Sequence, residues 1–329
     1  MRTEKNALYM KENTMKITVL DANTLGTDLD LSRLSSAGEL TIYDYTEPQE
    51  VADRIKNSEV VVLNKIKLNE ANLKDAKSLK LICVTATGYD NIDASYCASR
   101  GIQVSNIVGY STNSVAQVTI ATVLELATHI REYNRYVVSG EYTSKGVANR
   151  VSPVFNELCG KTWGIIGLGN IGKRVALIAE AFGCKVIAFK RTPDENYECT
   201  DLETLCKTSD IISIHTPLTE KTRGLIGKAE LDMMKSNVIL YNAARGAVTD
   251  EEAIAEAVLK NKIGAFGCDV YSVEPFPSNH PMQKIARLEN VCLTPHMAWA
   301  SYEARNLCID EVLENINAFK NGKKRNAIT

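Results

Sequence analysis

The sequence predicts an α/β protein of two domains, each built on a doubly wound parallel sheet, and three observations carry that prediction. A chain of 329 residues suits about two domains at roughly 150 residues each. Short β-branched runs alternate with helical patterns at intervals of roughly 20 residues, the rhythm of parallel βαβ units. Finally, a glycine-rich turn, WGIIGLGNIG at 163–172, joins an apolar run to a helical pattern and opens the second of two such alternations.

The elements follow in order. Residues 1–14 are polar and unpatterned and are expected to form an extension, with the apolar pattern starting abruptly at MKITVLDA. Strands are expected at 16–20, 39–43, 59–63, 79–84 and 102–105. A nearly all-round apolar helix pattern then opens at 111–114 and runs to about 136. A helix apolar on so many faces must be covered on more than one side, so it is expected between domains or subunits, and a two-fold homodimer is expected from it. After a loop at 140–154, strands are expected at 162–166, 185–189, 210–214, 238–241, 263–268 and 291–293. The last pattern, 301–319, carries apolar Leu307, Val312, Ile316 and Phe319 and ends at Gly322 as a helix cap.

Composition excludes several function classes. With 45% hydrophobic and 24% charged residues the chain is ordinary globular material. Its 38 Lys+Arg against 40 Asp+Glu give a net charge of −2, which offers no footprint for nucleic acid and no polybasic patch for a membrane. The expected partner is a small molecule or another protein chain. Nine cysteines are odd in number and contain no Cys-x-x-Cys pair, so neither a disulfide framework nor a metal site is expected, and reduced thiols point to the cytoplasm. No signal peptide or membrane span is expected, because the most apolar helical stretch, 114–130, is interrupted by Gln117, Glu125 and His129.

The glycines carry the first chemistry. Gly167, Gly169 and Gly172 form G-x-G-x-x-G directly after a strand and directly before a helix expected at 170–182, whose first residues are Asn170 and Ile171. The first glycine permits the turn, the second lets the backbone approach a pyrophosphate, and the third lets helix and strand pack closely. The helix start supplies free N–H groups. That is the fingerprint of a Rossmann-type dinucleotide site. The following strand should end in an acid for the adenosine ribose, yet Lys190, Arg191 and Thr192 stand there. Cations pair with a 2′-phosphate where a carboxylate would repel it, so the sequence leans toward NADP. The alternative, NAD with its ribose met by Asp194 or Glu195, stays open.

Three polar stretches end later strands: NAARG (242–246), DVYSVEP (269–275) and TPHMAWAS (294–301). With VTATGYDNID (84–93), NIVGYSTNSVAQ (106–117) and HTPLTEKTRGLI (215–226), in this order, they resemble the D-isomer-specific 2-hydroxyacid dehydrogenases across essentially residues 15–326. The resemblance implies that Arg245 binds the substrate carboxylate through its planar fork and polarises the carbonyl. It also implies that His296 is the acid/base and that Glu274 orients the imidazole and favours its charged form. Asp269 would meet the nicotinamide carboxamide; His215, Thr216 and Pro217 would wall the dinucleotide, with Ala243 beside the ring. Asn64, Lys65, Ala86, Thr87 and Gly88 match the loops that meet the substrate carboxylate, and Trp299 would face the substrate. His129 and His280 lack a Glu–Arg context and are expected to be structural, and Gln117 stands where many relatives carry glutamate.

The same resemblance implies a substrate domain from residues 15–113 and 299–329, a dinucleotide-binding domain from 114–298, and an active site in the cleft between them. Trp299 close to His296, the opening VLDANTL and the NK at 64–65 look like the glycerate dehydrogenase and hydroxypyruvate reductase branch. The expected substrates are therefore hydroxypyruvate or glyoxylate, reduced to the D-2-hydroxy acid. Other readings are a D-lactate-type or phosphoglycerate-type dehydrogenase, or a dinucleotide-sensing corepressor that binds protein partners, since fold does not fix function.

Overall fold

The structure, a computed structural model, describes residues 14–329; apart from Thr14, the extension expected at 1–14 lies outside the described residues. The chain divides into two compact units, one ending at Ser111 and resuming at Ala300, the other spanning Thr112–Trp299.

In the first unit the β-branched runs form β1 (Lys16–Val19), β2 (Glu39–Ile42), β3 (Val60–Leu63), β4 (Leu81–Val84) and β5 (Gln103–Ser105). They make one parallel sheet in the order β2-β1-β3-β4-β5. β3 and β4 are buried along their whole length, which explains why they read as continuous apolar runs rather than alternating ones. The C-terminal helix, Tyr302–Lys320, packs against β4 and buries Cys308, Ile309, Val312 and Ile316. It starts where the Ser301 hydroxyl accepts the Ala304 N–H, and Gly322 follows it in the left-handed region at φ +68°. The chain end then covers the free edge of β5: Ile328 N–H donates to the Val104 carbonyl at 2.7 Å and Val104 N–H to Thr329 Oγ1 at 2.9 Å. An exposed strand edge is a pairing liability, and this tail removes it.

The second unit holds β6 (Thr162–Ile166), β7 (Lys185–Phe189), β8 (Glu198–Cys199), β9 (Ile211–Ile214), β10 (Ile239–Asn242), β11 (Ala265–Cys268) and β12 (Val291–Leu293). They form a seven-stranded parallel sheet in the order β12-β11-β10-β9-β6-β7-β8. Only β8 escaped the sequence reading, because two residues are too short to show an alternation. Trp163, fully buried, donates its indole N–H to Ser213 Oγ at 2.9 Å across β6 and β9. In both sheets the strand order reverses once, between β1 and β3 and between β6 and β9. Crevices at such reversals, outside the C-terminal strand ends, are where open α/β sheets take ligands.

The long apolar helix is not continuous. It runs Thr112–Thr128, breaks at His129, whose φ is +53°, and restarts as Ile130–Val138. The restart is held by cations the apolar periodicity did not weigh. Arg131 pairs with Glu125 at 3.1 Å and donates to the Val291 carbonyl at 2.9 Å, while Arg135 grips Glu289 at 2.6 and 3.0 Å. The first segment is covered within its own unit by β10, β11, β12 and the helix Asn170–Ala181. That cover accounts for its buried Val115, Ala116, Ile120, Val123 and Leu126.

Cys83, Cys97, Cys184, Cys206, Cys268 and Cys308 are buried free thiols, and burial pushes the Cys83 thiol up to about 12. They behave as small hydrophobes. Among the described residues no helix is long and apolar enough to cross a membrane.

Candidate active site

The glycine loop sits at the end of β6, on the strand-order reversal of the seven-stranded sheet. Gly167 has φ +96°, and a Cβ there would stand 2.7 Å from the His215 carbonyl carbon. A Cβ at Gly172 would stand 2.3 Å from the Gly167 carbonyl oxygen, so this glycine lets the helix Asn170–Ala181 close on the turn. Gly169 is different: no atom lies within 4 Å of a Cβ built there. The loop is thus tight against protein at its first and third glycines and open at the second, where a pyrophosphate needs backbone access. No side chain caps the helix start at Gly169, leaving the first-turn N–H groups of Asn170 and Ile171 to an anion.

Across the reversal, His215 ends β9. Both its ring nitrogens are buried without a hydrogen-bond partner, and burial lowers its pKa to about 3. A buried imidazole without partners is costly, and a polar ligand at this wall would relieve it. Thr216 and Pro217 continue the turn, closed by the Thr222 hydroxyl on the Pro217 carbonyl at 2.7 Å; Ala243 N–H donates to the Ile214 carbonyl at 3.4 Å, bringing the ends of β9 and β10 together. The open glycine cradle and the orphaned imidazole fit a dinucleotide.

At the end of β7, Lys190 is not a bare cation. Its ammonium lies 3.0 Å from Asp194, whose carboxylate also takes Lys173 at 2.8 Å. These two lysines hold the Asp194 carboxyl far below the usual carboxylate range. Arg191 and Thr192 are exposed. The pairing of Lys190 was invisible in the sequence, where Asp194 counted only as a ribose ligand.

Arg245, Glu274 and His296 all belong to this unit and follow β10, β11 and β12. Asn242, fully buried at the end of β10, shapes the arginine turn by donating to the Arg245 carbonyl at 3.0 Å and accepting the Ala244 N–H at 3.0 Å. His296 Nδ1 lies 2.6 Å from Glu274 Oε2, and both side chains are partly exposed, at 22% and 29%. That distance marks a charge-assisted contact. His296 has φ +52°, a conformation uncommon outside glycine that structures tend to keep at functional sites.

Asp269 maintains that backbone. Its carboxylate accepts the Thr294 hydroxyl at 2.6 Å, Met297 N–H at 2.9 Å and Ala298 N–H at 2.9 Å. Burial raises its pKa against the pull of these donors. Trp299 donates its indole N–H to the His296 carbonyl at 2.9 Å. His280 has a partner that the sequence did not show: Glu251 Oε2 lies 3.1 Å from its Nε2, and both side chains are buried.

In the first unit, Asn64 and Lys65 follow β3 at that sheet's reversal, held by a residue that sequence reasoning missed. Asp21, buried at the end of β1, accepts N–H groups from Asn64 at 2.9 Å, Lys65 at 2.7 Å and Ile66 at 3.3 Å. An aspartate ending a strand was the available signal. Ala86 and Thr87 are tied to the strand that follows: Ile107 N–H donates to the Ala86 carbonyl at 3.1 Å, and the Thr87 hydroxyl to the Ile107 carbonyl at 2.8 Å. Gly88 is next in the same loop.

Comparison with known proteins agrees with this geometry. A family profile described as "D-isomer specific 2-hydroxyacid dehydrogenase, NAD binding domain" matches residues 120–298. A glycerate dehydrogenase of Methylorubrum extorquens is 37% identical over 96% of this chain and 99% of its own. A hydroxypyruvate reductase of Blautia hydrogenotrophica is 35% identical over 95% of this chain and 99% of its own. Among solved structures, an acyclic imino acid reductase in complex with NADPH and D-arginine superposes with a TM-score of 0.85 at 30% identity, covering 96% of this chain and 100% of that one. With the glycine cradle, the strand-end constellation and these likenesses agreeing, the chain belongs to the D-isomer specific 2-hydroxyacid dehydrogenases, oxidoreductases that use a nicotinamide dinucleotide.

Proposed function

We propose that this enzyme reduces a small 2-keto acid, hydroxypyruvate to its D-2-hydroxy acid or glyoxylate to the achiral 2-hydroxy acid, with residues 15–113 and 299–329 serving the substrate and 114–298 the dinucleotide. The observation that carries the reading is the 2.6 Å contact between His296 Nδ1 and Glu274. With Nδ1 held by the carboxylate, Nε2 is the ring atom we assign to proton transfer. The bound dinucleotide supplies the hydride. His296 supplies the proton to the carbonyl oxygen, so a ketone, a hydride and a proton make one alcohol. Arg245 holds the carboxylate and stabilises the negative charge that grows on the oxygen. In the first unit, Asn64, Lys65, Ala86, Thr87 and Gly88 are the residues we assign to binding the acid. Asp269 serves the nicotinamide carboxamide in addition to the His296 turn.

The choice of a small acid rests on Trp299, whose indole is tethered to the His296 backbone and fills space beside it, and on the two similar proteins named for glycerate and hydroxypyruvate. A panel of 2-keto acids tests it: hydroxypyruvate or glyoxylate should show the highest kcat/KM, and a clear preference for pyruvate or for a phosphorylated acid would overturn it. For the coenzyme we propose NADP, because Lys190, Arg191 and Thr192 end β7. Asp194 competes with a 2′-phosphate for Lys190, so the preference should be modest in the native protein, and the uncharged Asp194→Asn should widen it by releasing the lysine. The ratio of kcat/KM for NADPH over NADH, measured at low salt, decides this. Equal or better use of NADH by both proteins would assign the coenzyme as NAD.

We propose a homodimer, and the free thiols suit a reducing cytoplasm. The apolar surface that supports the dimer lies beyond the helix break rather than before it. Val138, Val151 and Val154 are each 77% exposed, with Ile130, Val137 and Phe155 above half, a concentration unusual for a monomer's surface. Sedimentation at micromolar concentration should give twice the chain mass, and Val138→Glu should shift it toward monomer. Native protein sedimenting as a monomer would refute the dimer.

A further inference from the structure

A second His–Glu pair, His280 with Glu251, is buried in the same unit. Helix Glu251–Leu259 is capped by Asp250, which accepts the Glu252 and Ala253 N–H groups, so Glu251 is not needed as a cap. Its side chain reaches the loop that carries Glu274. Glu251 Oε1 accepts the Ser272 N–H at 2.9 Å and Oε2 accepts the Ser272 hydroxyl. His280 stands behind it: Nδ1 accepts the Met282 N–H at 3.3 Å, and Nε2 lies 3.1 Å from Glu251 Oε2, within ion-pair range but without hydrogen-bond geometry. Phe276 stacks on the His280 ring at 4.9 Å, and Tyr271 meets Phe276 edge-on at 4.7 Å.

The gripped segment leads straight to the acid–base pair. Tyr271 N–H donates to Glu274 Oε1 at 2.9 Å, while Glu274 Oε2 faces His296. The Tyr271 hydroxyl donates to the Thr294 carbonyl at 2.9 Å, on the turn that bears His296. A buried carboxylate is retained at a cost unless it is fully paired, and Glu251 directs its pairing to Ser272. We propose that Glu251, backed by His280, is a positioning residue that fixes the Tyr271–Glu274 turn and thereby the direction in which Glu274 presents its carboxylate to His296. The proposal rests on the reading that Glu274 and His296 carry the acid–base step, and the test keeps the two apart.

The test is a double-mutant cycle of Glu251→Ala and Glu274→Gln, read by kcat and KM for keto-acid reduction. Glu251→Ala alone should lower kcat about tenfold with little change in KM, below the ~10²-fold that accompanies outright loss of a general acid. Glu251→Gln, which keeps an acceptor for Ser272, should restore most of the lost kcat. In the Glu274→Gln background the same change should have almost no further effect on kcat. Equal losses in both backgrounds, or no recovery of kcat in Glu251→Gln, would make Glu251 a merely structural residue and overturn the proposal. An inert Glu274→Gln would instead overturn the underlying acid–base reading. If Glu251→Ala does not fold, Ser272→Ala, which removes only the hydroxyl contact, runs the same cycle with a smaller kcat loss expected, and additivity there overturns the proposal equally.

Discussion

His296→Gln should lower kcat for keto-acid reduction by about 10²-fold or more, the usual scale for losing a positioned general acid, while KM changes little. The KM expectation follows from the division of labour: Arg245 is assigned the carboxylate, and His296 only the oxygen that becomes the alcohol. The turn itself should survive the change, because Asp269 holds the Met297 and Ala298 N–H groups independently of the imidazole. Neither His215 nor His280 can take over. Burial keeps His215 neutral down to about pH 3, and His280 is buried against Glu251. His296→Asn makes a useful companion, since asparagine accepts positive φ more readily than glutamine. Equal losses in the two variants mean that the missing proton donor is the cause; a mild loss in the asparagine variant would point to backbone conformation instead. Activity within about threefold of native in both would remove His296 from the mechanism.

Much of the fold was legible because its strands are short, β-branched and buried, so that β3, β4 and β9 stand out as apolar blocks between helical patterns. The coenzyme loop was legible because each glycine answers a different steric demand, and a Cβ at Gly167 or Gly172 would strike backbone that cannot yield. What was not legible depends on pairings distant in sequence. Nothing local to His129 says that Arg131 and Arg135 will find Val291 and Glu289 and turn the second helical segment away. Periodicity weighs apolar positions, and the break is set by polar ones.

The same limit applies within the site. Arg245, Glu274 and His296 were found through the order of three motifs, which is a resemblance to a family and carries no geometry. The residues that hold them in place, Asp269, Asn242 and Glu251, are carboxylates and an amide whose partners are backbone groups and two hydroxyls, those of Thr294 and Ser272. A carboxylate that accepts backbone donors looks, in sequence, like any surface acid. Asp21 is the clearest example: it ends β1 as an unremarkable strand-end residue, yet it organises the Asn64–Ile66 turn through three N–H groups. Lys190 shows the reverse case, a cation read as available that Asp194 already engages.

Gly246→Ala should be among the most damaging single changes in this unit, although it adds only one methyl group. Gly246 follows Arg245 and packs flat against the loop that carries Glu274. A Cβ there would lie 2.0 Å from the Tyr271 carbonyl carbon, 2.2 Å from Ser272 N and 2.5 Å from Tyr271 Cα. All three are backbone atoms, so no side-chain rotation can relieve the clash. The two loops must move apart, at a cost of about 1–3 kcal/mol or more for overpacking of this kind. The separation acts on both halves of the site: it moves Arg245 on one side, and on the other it strains the Ser272 contacts with Glu251 and the Tyr271 N–H contact with Glu274. Displacements on the order of 1 Å at a reacting centre cost about 10²-fold, so kcat/KM should fall on that scale and Tm by several degrees, by roughly 2–4 °C for each kcal/mol. Gly169→Ala is the control, since a Cβ there meets nothing within 4 Å: it should leave Tm near native and weaken dinucleotide binding alone. If Gly246→Ala matched native protein in both Tm and kcat/KM, the close approach of the two loops would not be what sets the spacing of Arg245 and Glu274.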